Sequence, residues 1–410
     1  MYRSVRVLSK MYRPVHEYLG KAVNTMSSLQ VAVVGAGIGG LATASALSRR
    51  GVAVQVYEQA RQLGEVGAGV ALGSNSLRLL NRLGLEGPLR EYGPRWTQWS
   101  FNAADGRVLT NQKMDGRVLG MYRPDLIAML ADSLPTGTVS TGRRSVGFHQ
   151  DGERAVVEFA DGGHAEADLV VAADGIHSVL QSHVVEPTAP VFSGSIAYRG
   201  TIAAERVPEY PGTVSNMWMG DGKHFLVFTL RGGALINFVG FVPSDAEMRE
   251  SWSAPGDPAT LAAEFADWDP MVRKIISHVD TTFRWGLYDR EPLPRWSNGN
   301  LTLLGDAAHS MLPHMGQGAN QSIEDAVALA MMLEGVDAAG IPEALQRYES
   351  LRRGRASRVQ RNSREGGLVY DGGDTPQRQQ KLESTVANLL WSLDYDVEAE
   401  AQRVLAPATR

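Results

Sequence analysis

Apolar positions along the chain follow two periods, and the period changes at glycine. Residues 29–60, "LQVAVVGAGIGGLATASALSRRGVAVQVYEQA", read as a β-branched strand, a glycine turn, an alanine-rich helix and a second strand ending in Glu58. "EADLVVAADGIHSVL" is a buried strand stopping at Asp174-Gly175, and "LTLLGDAAHSMLPHMGQGAN" a strand stopping at Gly305-Asp306. The latter runs on into a helix whose apolar Ile323, Ala326, Val327 and Ala330 recur at helical spacing. Between residues 192 and 243 the pattern switches to alternation. "FSGSIAYRGTIAA", "GTVSNMWMG", "KHFLVFTLR" and "ALINFVGFV" predict a meander of antiparallel strands, with hairpin turns at Asp221-Gly222 and Gly232-Gly233. An earlier hairpin, "WTQWSFNAADGRVLTNQ", is expected to join the same sheet. The fold class is α/β: a Rossmann-like domain interleaved with an antiparallel β-sheet domain and followed by C-terminal helices.

The first glycine turn has chemical content. Gly35, Gly37 and Gly40 form G-x-G-x-x-G between a strand and a helix. The first glycine permits the turn, the second admits a pyrophosphate against bare backbone, and the third lets helix and strand pack closely. Gly39 lies in the same turn. The helix N-terminus presents free N–H groups to phosphate. Glu58, with Gln59 behind it, stands where a carboxylate accepts hydrogen bonds from a ribose and repels a 2′-phosphate. A dinucleotide site follows. The glycine-rich start of the helix "GQGANQSIEDAVALAMML" would face something that becomes negative, which a reduced flavin ring does and a nicotinamide does not.

Composition narrows the rest. Of the 410 residues, 43% are hydrophobic and 21% charged, and the net charge is −5, so no electrostatic platform for nucleic acid is present. No apolar run reaches the roughly 18 residues that a membrane span needs. Cysteine is absent, which removes disulfides, thiolate metal sites and a cysteine nucleophile. No metal site is expected. Residues 1–25 are basic and read as an upstream extension rather than a transit segment.

The set "GAGIGG", "YEQ", "GEVGAG", "YRPDL", "AADGIHS", "YRG" and "GDAAHSMLPHMGQGANQSIEDA" resembles the single-component FAD-dependent aromatic hydroxylases, the group typified by p-hydroxybenzoate hydroxylase. Within it the chain is most similar to enzymes acting on salicylate, 3-hydroxybenzoate and 6-hydroxynicotinate. The resemblance implies a cytoplasmic monooxygenase using FAD, with NADH or NADPH as co-substrate, dioxygen and a small aromatic substrate, through a flavin C4a-hydroperoxide. Neither nucleic acid nor membrane is a partner, and a homodimer stays open. It further implies an FAD-binding domain from residues 26–90, 115–190 and 295–370, a substrate domain from 91–114 and 191–294, and a helical tail over 371–410.

Carried over by residue, Gly35, Gly37 and Gly40 hold the pyrophosphate, Glu58 the ribose, Arg123 the FAD and Asp306 the ribityl chain. Asp174 borders the groove where the two cofactors meet, and Pro313 sits beside the reactive edge of the flavin. Gly318, Ala319 and Asn320 offer backbone N–H groups to the ring. His224 is the candidate base for the substrate hydroxyl. Its strand places it on one face with Leu226, Phe228 and Leu230, and an imidazole titrates in the right range to take a phenol's proton. Phe228 and His314 complete the substrate residues. The chain departs from the pattern at Gln181, where an arginine or lysine is usual, and at Phe228, where the relatives carry a tyrosine. The alternative is an FAD-dependent oxidoreductase that inserts no oxygen.

Overall fold

The computed structural model describes residues 29–64, 67–93, 95–186, 188–245, 254–373 and 375–406. The expected extension at 1–25 lies outside them.

Five short runs form the parallel part of a six-stranded sheet. Its order is Ser297–Asn298, Leu301–Leu303, Leu169–Ala172, Gln30–Val34, Ala53–Glu58 and Val139–Thr141, antiparallel only at the first pair. Strands buried on both faces read as continuous apolar runs, and Leu169–Ala172 is buried throughout. The helix Ile38–Ser48 is buried around most of its circumference because it lies between this sheet and the helix Gly318–Met332. A Cβ at Gly39 would lie 2.8 Å from Leu304 and 3.1 Å from Ser322, so glycine there allows the close approach.

The second layer is an eight-stranded sheet in the order Ala254–Gly256, Thr282–Asp289, Val191–Ala203, Leu235–Pro243, Lys223–Leu230, Val214–Gly220, Gln98–Ala103 and Val108–Lys113. The early hairpin joins it through a parallel pairing of Gln98–Ala103 with Val214–Gly220. The expected meander is not simple. Val191–Ala203 skips its successor and pairs with Leu235–Pro243 from Ser195↔Pro243 to Ala203↔Leu235. The turn Ala204–Arg206 makes this possible, with Ala204 N–H donating to the Ala234 carbonyl at 2.9 Å. Period two alone says which strands exist, not which neighbour each prefers.

Both faces of this sheet are covered. Phe225, Val227 and Phe238 pack under the helices Pro258–Glu264 and Pro270–Ser277. On the other face Trp99, Phe101, Phe228 and Leu230 meet Leu382, Leu389 and Leu393 of the helix Pro376–Leu393. The helical tail is thus part of the core. A 30-residue helix, Ile341–Tyr370, links the two layers. Among the described residues no helix is long and apolar enough to cross a membrane.

Candidate active site

The three glycine-marked strand ends open onto one cavity of about 610 Å³. At Gly35 the backbone has φ 104°, and a Cβ there would lie 2.3 Å from the Ala173 carbonyl oxygen. At Gly40 a Cβ would lie 1.9 Å from the Gly35 oxygen, so helix and turn touch through bare backbone. Gly37 is different: a Cβ would meet nothing within 4 Å. The space above Gly37 belongs to the cavity, beside the uncapped N-terminus of the helix Ile38–Ser48. Glu58 accepts from the N–H groups of Ala36 at 2.8 Å and Ala60 at 2.7 Å, which fixes its carboxylate beside the turn. Gly39, Gln59 and Arg123 also line the cavity.

The other strand ends supply Asp174 and Asp306. Burial raises the Asp174 carboxyl above its ordinary range despite a hydrogen bond from Ser178, and its Oδ1 has no partner. Gly305 turns with φ 64°, which aims Asp306 into the cavity ahead of Pro313, Gly318 and Ala319. The first turn of the helix Gly318–Met332 leaves its N–H groups free by geometry. Asn320 does not line the cavity. Its side chain accepts from Gly73 N–H at 2.8 Å and donates to the carbonyls of Ala71 and Gly316 at 2.9 and 2.8 Å. It ties two loops together.

Beneath this loop lies a buried polar network that motif reading does not resolve. His309 Nε2 meets Asp325 at 2.5 Å, Arg352 bridges Asp325 at 2.8 Å and Glu324 at 2.6 Å, and Arg355 meets Glu324 at 2.8 Å. Burial would raise both carboxyls; Arg352 with Arg355 at Glu324, and His309 with Arg352 at Asp325, reverse it, and both end below their ordinary values. Gln181, the departure from the family's basic residue, donates to the Ala307 carbonyl at 2.7 Å and braces the same loop without charge.

The far wall is a grid of cross-strand neighbours. Phe228 pairs with Asn237, Leu226 with Val239, and His224 with Phe241, while Arg199 and Ala197 pair with Val239 and Phe241 from the next strand. Paired residues share a face, so Leu226, Phe228, Val239, Phe241 and Arg199 all line the cavity. Arg199 is buried and stacks 4.6 Å over Trp285, another lining residue. Leu312 closes the wall next to Pro313.

His224 and His314 are not among the lining residues. Phe241 stacks on His224 with ring centres 4.0 Å apart and meets His314 at 5.3 Å, so the two imidazoles form the layer behind the wall. They stand 5.1 Å from each other. Burial, with His224 as a lesser cause, holds His314 well below its ordinary value. His224 Nδ1 lies 2.6 Å from Asp371. Sequence reasoning missed Asp371 because no local pattern links residues so far apart. Arg199 was visible in "YRG" but had no assigned direction until strand pairing was known.

This arrangement accommodates an extended dinucleotide. Open space over Gly37, free N–H groups at two helix starts and an unpaired Asp174 oxygen all lie along one cavity with an apolar end.

Residues 28–363 match the family described as FAD binding domain. A 3-amino-4-hydroxybenzoate 2-monooxygenase of Streptomyces platensis is 38% identical over 85% of this chain and 90% of its own. A salicylate hydroxylase of Pseudomonas putida is 35% identical, covering 92% of this chain and 96% of its own. Among solved structures, a salicylate hydroxylase substrate complex has a TM-score of 0.81 and 31% identity, covering 94% of this chain and all of that one (100%).

Proposed function

The chain belongs to the family of FAD-dependent aromatic-ring monooxygenases, and from that membership we propose that it hydroxylates a phenolic acid between the Pro313 loop and the large sheet. FAD is its cofactor and NADH or NADPH its co-substrate. The observation that carries the substrate reading is the single cavity joining the glycine turns to an apolar wall with one stacked arginine. The relatives named above act on hydroxylated benzoates, and Arg199 would hold such a carboxylate by charge-assisted hydrogen bonds.

When bound, FAD would supply the electron relay from NAD(P)H to dioxygen, one atom of which enters the ring. The residues do the rest. Gly35, Gly37 and Gly40 admit the pyrophosphate, Glu58 and Gln59 hold the adenosine side, and Arg123, Asp174 and Asp306 hold the middle of the cofactor. Amides of Gly318 and Ala319, which line the cavity, would favour negative charge on the reduced ring. Leu226, Phe228, Val239 and Leu312 exclude water, which protects the oxygen-transferring state from unproductive decay. His224 takes the proton of the substrate hydroxyl. A phenol ionises near pH 10, so general-base removal of its proton contributes roughly 10²–10⁴-fold. Residues 26–90, 115–190 and 295–370 serve the cofactor, 91–114 and 191–294 the substrate. The need for NAD(P)H argues for the cytoplasm.

The test is NADH and NADPH oxidation by the FAD-loaded protein against salicylate, 3-hydroxybenzoate, 3-amino-4-hydroxybenzoate, 6-hydroxynicotinate and uncarboxylated phenols, with product masses read under labelled dioxygen. A product bearing one labelled oxygen from a carboxylated phenol is expected. Faster oxidation that yields only peroxide with every acid rejects the phenolic-acid assignment. Turnover to an oxidised product without label favours the non-oxygenating alternative.

A further inference from the structure

The two nitrogens of His224 have different surroundings. Nδ1 faces the Asp371 carboxylate at 2.6 Å, whereas Nε2 is buried without a partner. A carboxylate only accepts, so in the neutral ring Nδ1 carries the proton and Nε2 the lone pair. The contact is braced: Gly222 N–H donates to the Asp371 carbonyl at 2.8 Å, tying the turn before His224 to the chain just after the helix Ile341–Tyr370.

The groups packed round this imidazole are few. Phe241 and Met219 flank it from the neighbouring strands, His314 stands at 5.1 Å and Tyr370 at 5.4 Å. His314 Nδ1 is also buried without a partner. Room for that ring comes from the helix. A Cβ at Gly367 would lie 2.6 Å from His314 Cδ2, and glycine in a helix interior is otherwise disfavoured. Two unpaired imidazole nitrogens beside one another are costly unless a hydroxyl visits them.

We propose that Asp371 is a positioning residue: by holding the Nδ1–H of His224 it leaves Nε2 as the acceptor of the substrate's hydroxyl proton. This rests on the reading of His224 as the base. In that step the substrate O–H bond breaks, the proton bonds to Nε2, the electron pair stays on the ring oxygen, and the imidazolium is held against Asp371. The step requires the Phe241 ring, which lines the cavity and stacks on His224, to move aside for the substrate hydroxyl.

The test joins nitrogen NMR of the histidine side chains with turnover, on the FAD-loaded protein labelled with 15N-histidine. His224 is assigned by the signal lost in His224→Gln. The Nδ1–H tautomer is expected in the parent protein. Asp371→Asn, whose amide can donate to Nδ1, is expected to move the proton to Nε2. With salicylate and 3-hydroxybenzoate as probes, Asp371→Asn is expected to lower hydroxylation at least tenfold while retaining FAD. Asp371→Glu restores part of it, as does high pH, where the phenol ionises unaided. An Nε2–H tautomer in the parent, or a tautomer unchanged by Asp371→Asn, overturns the proposal, whether or not either probe is a substrate. The expected tautomers with undiminished turnover in His224→Gln overturn the base reading instead, and leave Asp371 with no catalytic part.

Discussion

Individual residues divide into those that shape the fold and those that leave room for a ligand, and the fingerprint glycines show both kinds. A methyl group at position 40 would collide with the Gly35 oxygen at 1.9 Å, while one at position 37 meets only open space. Gly40→Ala is therefore expected to lower the urea midpoint of the FAD-free protein. Gly37→Ala should leave that midpoint unchanged and yet weaken FAD retention, because the pyrophosphate needs that space. Equal midpoints with equal FAD content would contradict both assignments. His314 makes a second residue-scale prediction. Its folded value is pushed well below the ordinary 6.5. Below about pH 6.5 the unfolded chain takes up a proton that the folded chain refuses, so stability falls as pH drops through that window. His314→Gln is expected to flatten the dependence by up to about 1.4 kcal/mol per pH unit between pH 6.5 and the depressed folded value. Urea titrations from pH 7 to 5 would measure it.

At the scale of elements, the helix Gly318–Met332 has an interior more polar than its pattern suggests. Glu324, Asp325 and Arg352 are fully buried, and Arg352 joins that helix to Ile341–Tyr370. Removing one partner leaves uncompensated charge, so Arg352→Ala is expected to cost about 3–5 kcal/mol in urea unfolding. Arg352→Met combined with Asp325→Asn should recover part of that loss, since that pair of buried charges leaves together while Glu324 keeps Arg355. His309 and Gly305 also bond to Asp325, the latter through its N–H at 3.2 Å. The same substitution is thus expected to loosen FAD as well, which the flavin-to-protein absorbance ratio after gel filtration would report.

The cavity lies between the two sheets, lined by Gly35, Glu58, Asp174 and Leu304 from one and by Arg199, Leu226, Phe228 and Phe241 from the other. A ligand touching both stabilises both. FAD at 100 times its Kd is expected to add about 2.7 kcal/mol, so thermal melts with and without FAD should separate while remaining a single transition. A Tm independent of added FAD would contradict binding across both sheets. The C-terminal helix belongs to this assembly too, since Leu389 and Leu393 pack against the large sheet's core. Truncation after residue 375 is expected to yield insoluble chain rather than a smaller enzyme.

Local pattern by itself determined the strand–turn–helix of the dinucleotide site, the places where strands end in Gly-Asp or Asp-Gly, and the face shared by Leu226 and Phe228. These follow from periods of two and 3.6 residues and from glycine's backbone freedom, which act over a few positions. Only the tertiary structure decided what is non-local. It paired Val191–Ala203 with Leu235–Pro243, set Arg199 beside Leu226 through Val239, hid His224 behind Phe241, and brought Asp371 to its imidazole. Sheet register and the packing of a long helix against it select these contacts. Both are properties of the assembled core, and no stretch of chain carries them alone.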